Sequence, residues 1–207
     1  MKQVGVLAVL VVSLCVACAT VPMRFSGAYD RLNRVYVNDA IGFRLVFPPY
    51  WAVAVKPRYF TVPVRLRADQ EQVLEAYDQA SRLGLVMVVQ EGPLLEIAEL
   101  VQRMQAMPET HVNEHLRRPQ AAGVQQSIGK IIINGQAVAE WIYTATDTTG
   151  GVAVEVTVKS YIYKLGEYYV YLTFSITAAQ ETVAQPAIKA ILDAFQPITA
   201  KNALQAM

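Results

Sequence analysis

Cysteine is nearly absent from this chain. Two occur in 207 residues, Cys15 and Cys18, and both lie in the apolar N-terminal run. Beyond that run there is neither a disulfide nor a thiol to staple the fold, so the rest of the chain must depend on its hydrophobic core. Histidine is equally scarce, with His111 and His115 alone. Charge is thin as well, 17% of residues with a formal net charge of +1. That balance argues against nucleic acid, which calls for a basic stripe. The chain has no G-x-G-x-x-G, no P-loop, no arguable Ser-His-Asp set, no repeat and no low-complexity tract. No cofactor is implied.

What is there begins with a leader. Lys2 precedes an almost unbroken apolar run, Val4–Ala19. A positive start, a short apolar stretch and small residues at its end make a secretory signal over residues 1–19. The run falls short of the roughly 20 residues that span a bilayer comfortably, which favours a cleaved leader over a retained span. Its end has two readings. Cys15-Val16-Ala17-Cys18 resembles a bacterial lipobox with Cys18 lipidated, although Cys15 stands where leucine is usual. Alternatively, Ala17-Cys18-Ala19 is a small-x-small site cleaved before Thr20. Lipidation explains a cysteine at this place and is the expectation. Ala19 lacks the acidic character that resembles an inner-membrane retention signal. The protein is therefore expected to be membrane-anchored, facing the periplasm at the outer membrane. Residues 20–33 read as a tether, 34–199 as a single domain and 200–207 as a tail.

The domain is organised around residues 152–195. Val152, Val154, Val156 and Val158 alternate with Ala153, Glu155, Thr157 and Lys159, the period of a half-buried strand. Lys164-Leu165-Gly166-Glu167 is a turn, and Tyr168–Ile176 alternates again. Two such runs around a tight turn form an antiparallel hairpin. Ala184, Ala187, Ile188, Ile191, Leu192 and Phe195 then make one apolar helical stripe, with Thr182 and Gln185 as a capping box. Upstream, 34–37 and 43–47 read as short strands. Ala52–Leu66 reads as irregular, with strand at an edge where proline is tolerated. Asp69 to about Leu83 reads as a helix, with Val73, Ala76, Tyr77 and Ala80 on one side and Gly84 just past its end. Leu85–Gln90 reads as a strand buried on both faces. A helix follows over Leu94–Met107 with Ile97, Leu100, Val101 and Met104 inward. Residues 127–133 and 136–146 are strands around the hairpin signal Asn134-Gly135. The order predicts an α+β domain, a mostly antiparallel β-sheet with helices packed on it.

Three groups of residues invite chemistry or binding. His111-Val112-Asn113-Glu114-His115 is a literal H-x-x-E-H. On a helix, His111 and His115 would lie one turn apart as metal ligands, and Glu114 would be the base for a zinc-bound water. Glu155, Glu167 and Glu181 are formal third ligands, though none stands in a motif. The simpler reading is a solvated segment between Pro108 and Pro119, carrying Glu109, Arg117 and Arg118. Tyr161, Tyr163, Tyr169 and Tyr171 lie on adjacent strands; sharing a face, they would make a protein-binding surface. Cover by a helix, with hydroxyls at the rim, is the alternative. Lys56, Arg58, Arg65 and Arg67 alternate with apolar residues and suit either anionic headgroups or a solvated edge. Trp51 and Trp141 are expected in the core.

Tyr36-Val37-Asn38 followed by Gly42-Phe43, then Phe47-Pro48-Pro49-Tyr50-Trp51, resembles the PsbP-like group, including the DcrB-type bacterial lipoproteins. Ile133-Asn134-Gly135-Gln136, Tyr168–Ser175 and the final helix ending in Phe195 follow the same order of elements. The resemblance covers about residues 34–197 and departs over Ala52–Leu83. It implies an α/β/α sandwich around an antiparallel sheet, in a non-enzymatic module that binds or helps assemble other proteins. It brings no catalytic residues. The functional expectation is therefore an exported, lipid-anchored binding or assembly module of the bacterial cell envelope. Its partners would be the membrane, through its lipid, and another envelope protein. A zinc-dependent hydrolase at His111, Glu114 and His115, and a carrier of a small apolar ligand, are the alternatives.

Overall fold

The computed structural model describes residues 25, 27–55, 66–92, 95–107, 126–147 and 154–198. Eleven strands occur among them: β1 Ala28–Asp30, β2 Val35–Asn38, β3 Phe43–Val46, β4 Trp51–Val55, β5 Gln70–Asp78, β6 Leu83–Glu91, β7 Gln126–Ile133, β8 Gln136–Asp147, β9 Val154–Leu165, β10 Tyr168–Thr177 and β11 Phe195–Pro197. Helix α1 is Ile97–Ala106 and helix α2 is Glu181–Ala194. A four-stranded sheet has the order β1-β2-β3-β11, and a seven-stranded sheet the order β4-β5-β6-β10-β9-β8-β7. Every pairing is antiparallel. The expected α+β architecture is what forms.

The β9–β10 hairpin is the axis of the larger sheet. Gly166 supplies the positive φ of its turn, +58°, which a residue without Cβ adopts at little cost. β10 pairs β9 on one side and β6 on the other. Alternation then divides its side chains between two cores. Val170, Leu172, Phe174 and Ile176 enter a large core closed by the small sheet and α2. Tyr169 and Tyr171 enter a second core on the opposite face, closed by α1. With both faces covered, β6 is buried from Leu83 to Val89, as its continuous apolar run requires.

Both helices bury the stripes that their spacing dictates. In α1 these are Ile97, Leu100, Val101 and Met104. In α2 they are Ala184, Ile188, Ile191 and Leu192. The capping box stands earlier than Thr182 and Gln185. It joins Thr177, still extended at the end of β10, to Gln180 across one 3-10 turn. Trp51 and Trp141 are buried, one in each core. The strand at an edge expected after Ala52 is β4. Val154, expected inward, is exposed at the start of β9.

Two expectations are overturned. The segment from Asp69 to Leu83 is not a helix but β5 and the turn into β6. Gln-Glu-Gln-Val-Leu-Glu-Ala is rich in helix formers, yet pairing between β4 and β6 outweighs that weak preference. A register shift between Gln72 and Leu74 puts Val73 and Leu74 inside in succession. This bulge breaks the period of two and imitates a helical stripe. Gly84 is not a helix end; it lies within β6, opposite Tyr77 and Ser175. Residues 20–33 are not a tether throughout. Phe25 is buried in the large core, and Ala28–Asp30 pairs with β2. Asn38, fully buried, holds this segment down: Nδ2 donates to the Phe25 carbonyl at 2.6 Å, and Oδ1 accepts from the Ile41 amide at 3.2 Å. The Gly27 amide donates to Tyr36 Oη at 3.0 Å. A Cβ on Gly27 would lie 2.3 Å from the Val37 carbonyl oxygen, so the close approach demands glycine.

Candidate functional site

The four tyrosines do not form a surface. Tyr161 and Tyr163 face the large core while Tyr169 and Tyr171 face the second, and all four are buried. The division follows from strand parity across the β9–β10 turn: Tyr161 pairs with Leu172, and Tyr171 with Ile162. Tyr163 packs on Phe195, with ring centroids 4.3 Å apart. Tyr169 Oη donates to the Leu95 carbonyl at 2.7 Å, directly before α1, so it is the helix-covered alternative that holds for this pair. Burial pushes the Tyr169 phenol up to about 12. It pushes Tyr161, Tyr163 and Tyr171 further in the same direction. These phenols are protonated structural groups.

Cys18, His111, Glu114, His115, Lys56, Arg58 and Arg65 lie outside the described residues. The formal third metal ligands are all exposed. Glu155 and Glu167 stand at opposite ends of β9, more than 30 Å apart at roughly 3.3 Å per residue, so they cannot serve one site together. Glu181 sits instead 3.8 Å from the buried amine of Lys159. Among the described residues no group of three His, Cys, Asp or Glu is placed to hold a metal.

Two features were not legible as sites. The first is a polar network at the β9–β10 turn end of the large sheet. Arg67 donates Nε and Nη2 to the two carboxylate oxygens of Asp69, each at 3.1 Å. Gln90 Nε2 donates to the same carboxylate at 2.9 Å. Gln90 Oε1 accepts from Tyr171 Oη at 2.6 Å and from Gln70 Nε2 at 3.2 Å. The Asp69 carboxylate thus accepts three hydrogen bonds, and the network braces this end of the sheet. Beside it lies the Gln72 amide, 3% exposed and, among the described residues, with no hydrogen-bond partner on either atom.

The second feature is the turn between β1 and β2. Asp30 Oδ1 accepts from the amides of Leu32 at 2.9 Å and Asn33 at 3.2 Å, and its other oxygen from Asn33 Nδ2 at 2.6 Å. Arg34 closes the turn with φ +55°. The result is a preset loop that carries Leu32 94% exposed between Arg31 and Arg34. The chain leaving β3 emerges beside it: the Phe47 amide donates to the Arg34 carbonyl at 2.8 Å. Tyr50, 75% exposed with φ +73°, follows three residues later. The Asp30-x-x-Asn33 spacing was the available signal.

No family model matches the chain, and no curated protein matches it. Solved structures do. The solution structure of cyanobacterial PsbP from Synechocystis sp. PCC 6803 has a TM-score of 0.45 at 11% identity, covering 87% of this chain and 96% of that one. A crystal structure from Bacteroides thetaiotaomicron has a TM-score of 0.50 at 8% identity, covering 82% of this chain but 50% of that one. LpqN of Mycobacterium tuberculosis, described as involved in cell envelope biogenesis, has a TM-score of 0.44 at 11% identity, covering 76% and 83%. These likenesses, all at 8–11% identity, concern fold alone.

Proposed function

We propose that this chain is an exported, lipid-anchored, non-enzymatic binding or assembly module of the bacterial cell envelope, facing the periplasm at the outer membrane. One observation carries the reading. Phe25, the first described residue, is pinned by Asn38, and only six residues lie between it and the candidate lipidated Cys18. A leash of that length spans at most about 25 Å fully extended. Lipid at Cys18 would therefore hold a preformed domain at the bilayer, as an anchored module requires.

The surface offered to a protein partner is the exposed face of β4 and β5. Ala52 and Ala54 are exposed there, beside Tyr77, which pairs with Ala52. An exposed amphipathic tyrosine suits a protein contact.

The test is the mass of the N-terminal peptide from the membrane fraction of a bacterial host, for the full chain and for Cys18→Ser. An acylated Cys18 in the wild type, with release of the variant from the membrane, is expected. An unmodified cysteine, or cleavage before Thr20, would overturn the anchored reading.

A further inference from the structure

Asn134-Gly135 is the one Asn-Gly step in the chain. Such a step is chemically labile as well as turn-forming. Glycine puts no side chain in the way when its backbone nitrogen attacks the preceding amide. Both residues are exposed, and a Cβ built on Gly135 would meet nothing beyond its chain neighbours within 4 Å. Burial therefore does not shield the step from water. Protection comes from conformation instead. The two residues join β7 to β8 directly, with Ile133 opposite Gln136. Asn134 has φ +51°. A residue other than glycine at that φ has ψ of about +30° to +60°. The Gly135 nitrogen then stands anti to the Asn134 Cβ across the Cα–C bond, whereas a five-membered ring needs the two nearly eclipsed. The side chain is held as well. Its Nδ2 donates to the carbonyls of Asp193 at 3.0 Å and Leu192 at 3.4 Å, in the last turn of α2.

We infer that Asn134 is a spontaneous modification site that folding closes. The β7–β8 turn and the docked end of α2 hold it as an amide; in the unfolded chain it converts to aspartate and isoaspartate, which do not restore the contact. Once the turn is open, the Gly135 nitrogen loses its proton and bonds to the Asn134 Cγ, and the side-chain nitrogen leaves as ammonia. Water then opens the cyclic imide. Breaking the N–Cγ bond gives aspartate, and breaking the bond to the backbone carbonyl gives isoaspartate. No oxidant, reductant or cofactor enters. Aspartate puts a carboxylate where Nδ2 donated, against two carbonyl oxygens at the negative end of the α2 dipole. Isoaspartate runs the main chain through Cβ, so the two-residue turn gains a methylene and loses the geometry that sets its register. Either product unfastens α2 from the hairpin. A molecule that stays unfolded is thereby marked, and does not regain the full fold.

The experiment uses the full chain, processed in its host. At mildly alkaline pH one portion is kept folded in buffer and another unfolded in urea, and both are digested alike. Conversion is read as the mass gain of an amide becoming an acid in the tryptic peptide 131–159, located to Asn134 by fragmentation. Isoaspartate is read by labelling with an isoaspartyl methyltransferase and a radioactive methyl donor. Conversion in urea is expected, slower by roughly tenfold or more in the folded chain, where the reaction waits on local opening. No conversion in urea overturns the site. Equal rates overturn its closure by folding. Asn134→Asp, made directly, measures the consequence. Asparagine and aspartate both tolerate a positive φ, so the variant changes the donor and the charge without straining the turn. Its urea midpoint is expected below that of the wild type. A midpoint at or above the wild type overturns the inference, because the product would then refold unharmed.

Discussion

Gln72 stands out because its surroundings contradict its chemistry. A carboxamide buried without partners on either atom carries a desolvation penalty of about 1–3 kcal/mol. An apolar side chain of similar shape removes that penalty. Gln72→Met is therefore expected to raise the unfolding free energy by about 1 kcal/mol or more, read as a higher urea midpoint at unchanged slope. A lowered midpoint would show that the amide is satisfied in solution. Asn38 is the opposite case, a buried amide bonded through both atoms. Polar pattern in the sequence does not separate the two, because neither strand's periodicity encodes which amide finds a partner. Tyr161, Tyr163, Tyr169 and Tyr171 teach the same lesson. Their strand placement was legible, whereas their division between two cores depends on which residues the hairpin turn consumes.

At the scale of elements, the meander β7–β10 was readable because period two is sustained and its turns are marked. Asn134 and Gly135 take φ values of +51° and +78°, as the hairpin signal requires. A second duty of Asn134 was not readable. Its Nδ2 donates to the carbonyls of Asp193 at 3.0 Å and Leu192 at 3.4 Å, capping the last turn of α2 from a distant hairpin. Asn134→Gly keeps the turn and loses this cap, so it should cost about 0.5–1.5 kcal/mol, the range of one hydrogen bond. Asn134→Ala also places a Cβ at positive φ and should cost about 1 kcal/mol more. An Asn134→Gly midpoint equal to that of the wild type would show that the cap contributes little, and equal midpoints for the two variants that the positive φ does. β5 was misread for a physical reason: one bulge destroyed the alternation, and the residues left behind are good helix formers. β1 was missed because three residues are too short for any period.

Across the whole molecule, the buried tyrosines act together on stability. Their phenols ionise near pH 10 in the unfolded chain, whereas burial raises them in the folded one, Tyr169 to about 12. Above pH 10 the unfolded state thus binds fewer protons than the native state, and stability falls as pH rises. The contribution is intact below pH 10 and declines between pH 10 and 12. The share of tyrosinate absorbance that comes from Tyr161, Tyr163, Tyr169 and Tyr171 should appear together with loss of the far-ultraviolet circular dichroism of the sheet. Absorbance rising to completion at pH 11 with the sheet signal intact would contradict these burials. The two-sided architecture was legible in outline from β6, whose unbroken apolar run needs cover on both faces. The second, smaller sheet was not, because β11 is three residues appended to a helix.

The position of β10 has a further consequence in time. Strands β4 to β6 and strands β7 to β9 meet only through it, and β3 gains its outer neighbour only when Phe195–Pro197 arrives. A nascent chain halted before Tyr168 therefore holds two half-sheets with nothing between them. The protein cannot complete its fold while its C-terminal fifth is still in the ribosome. For the export proposed above, that delay would keep the chain open until its last strand emerges.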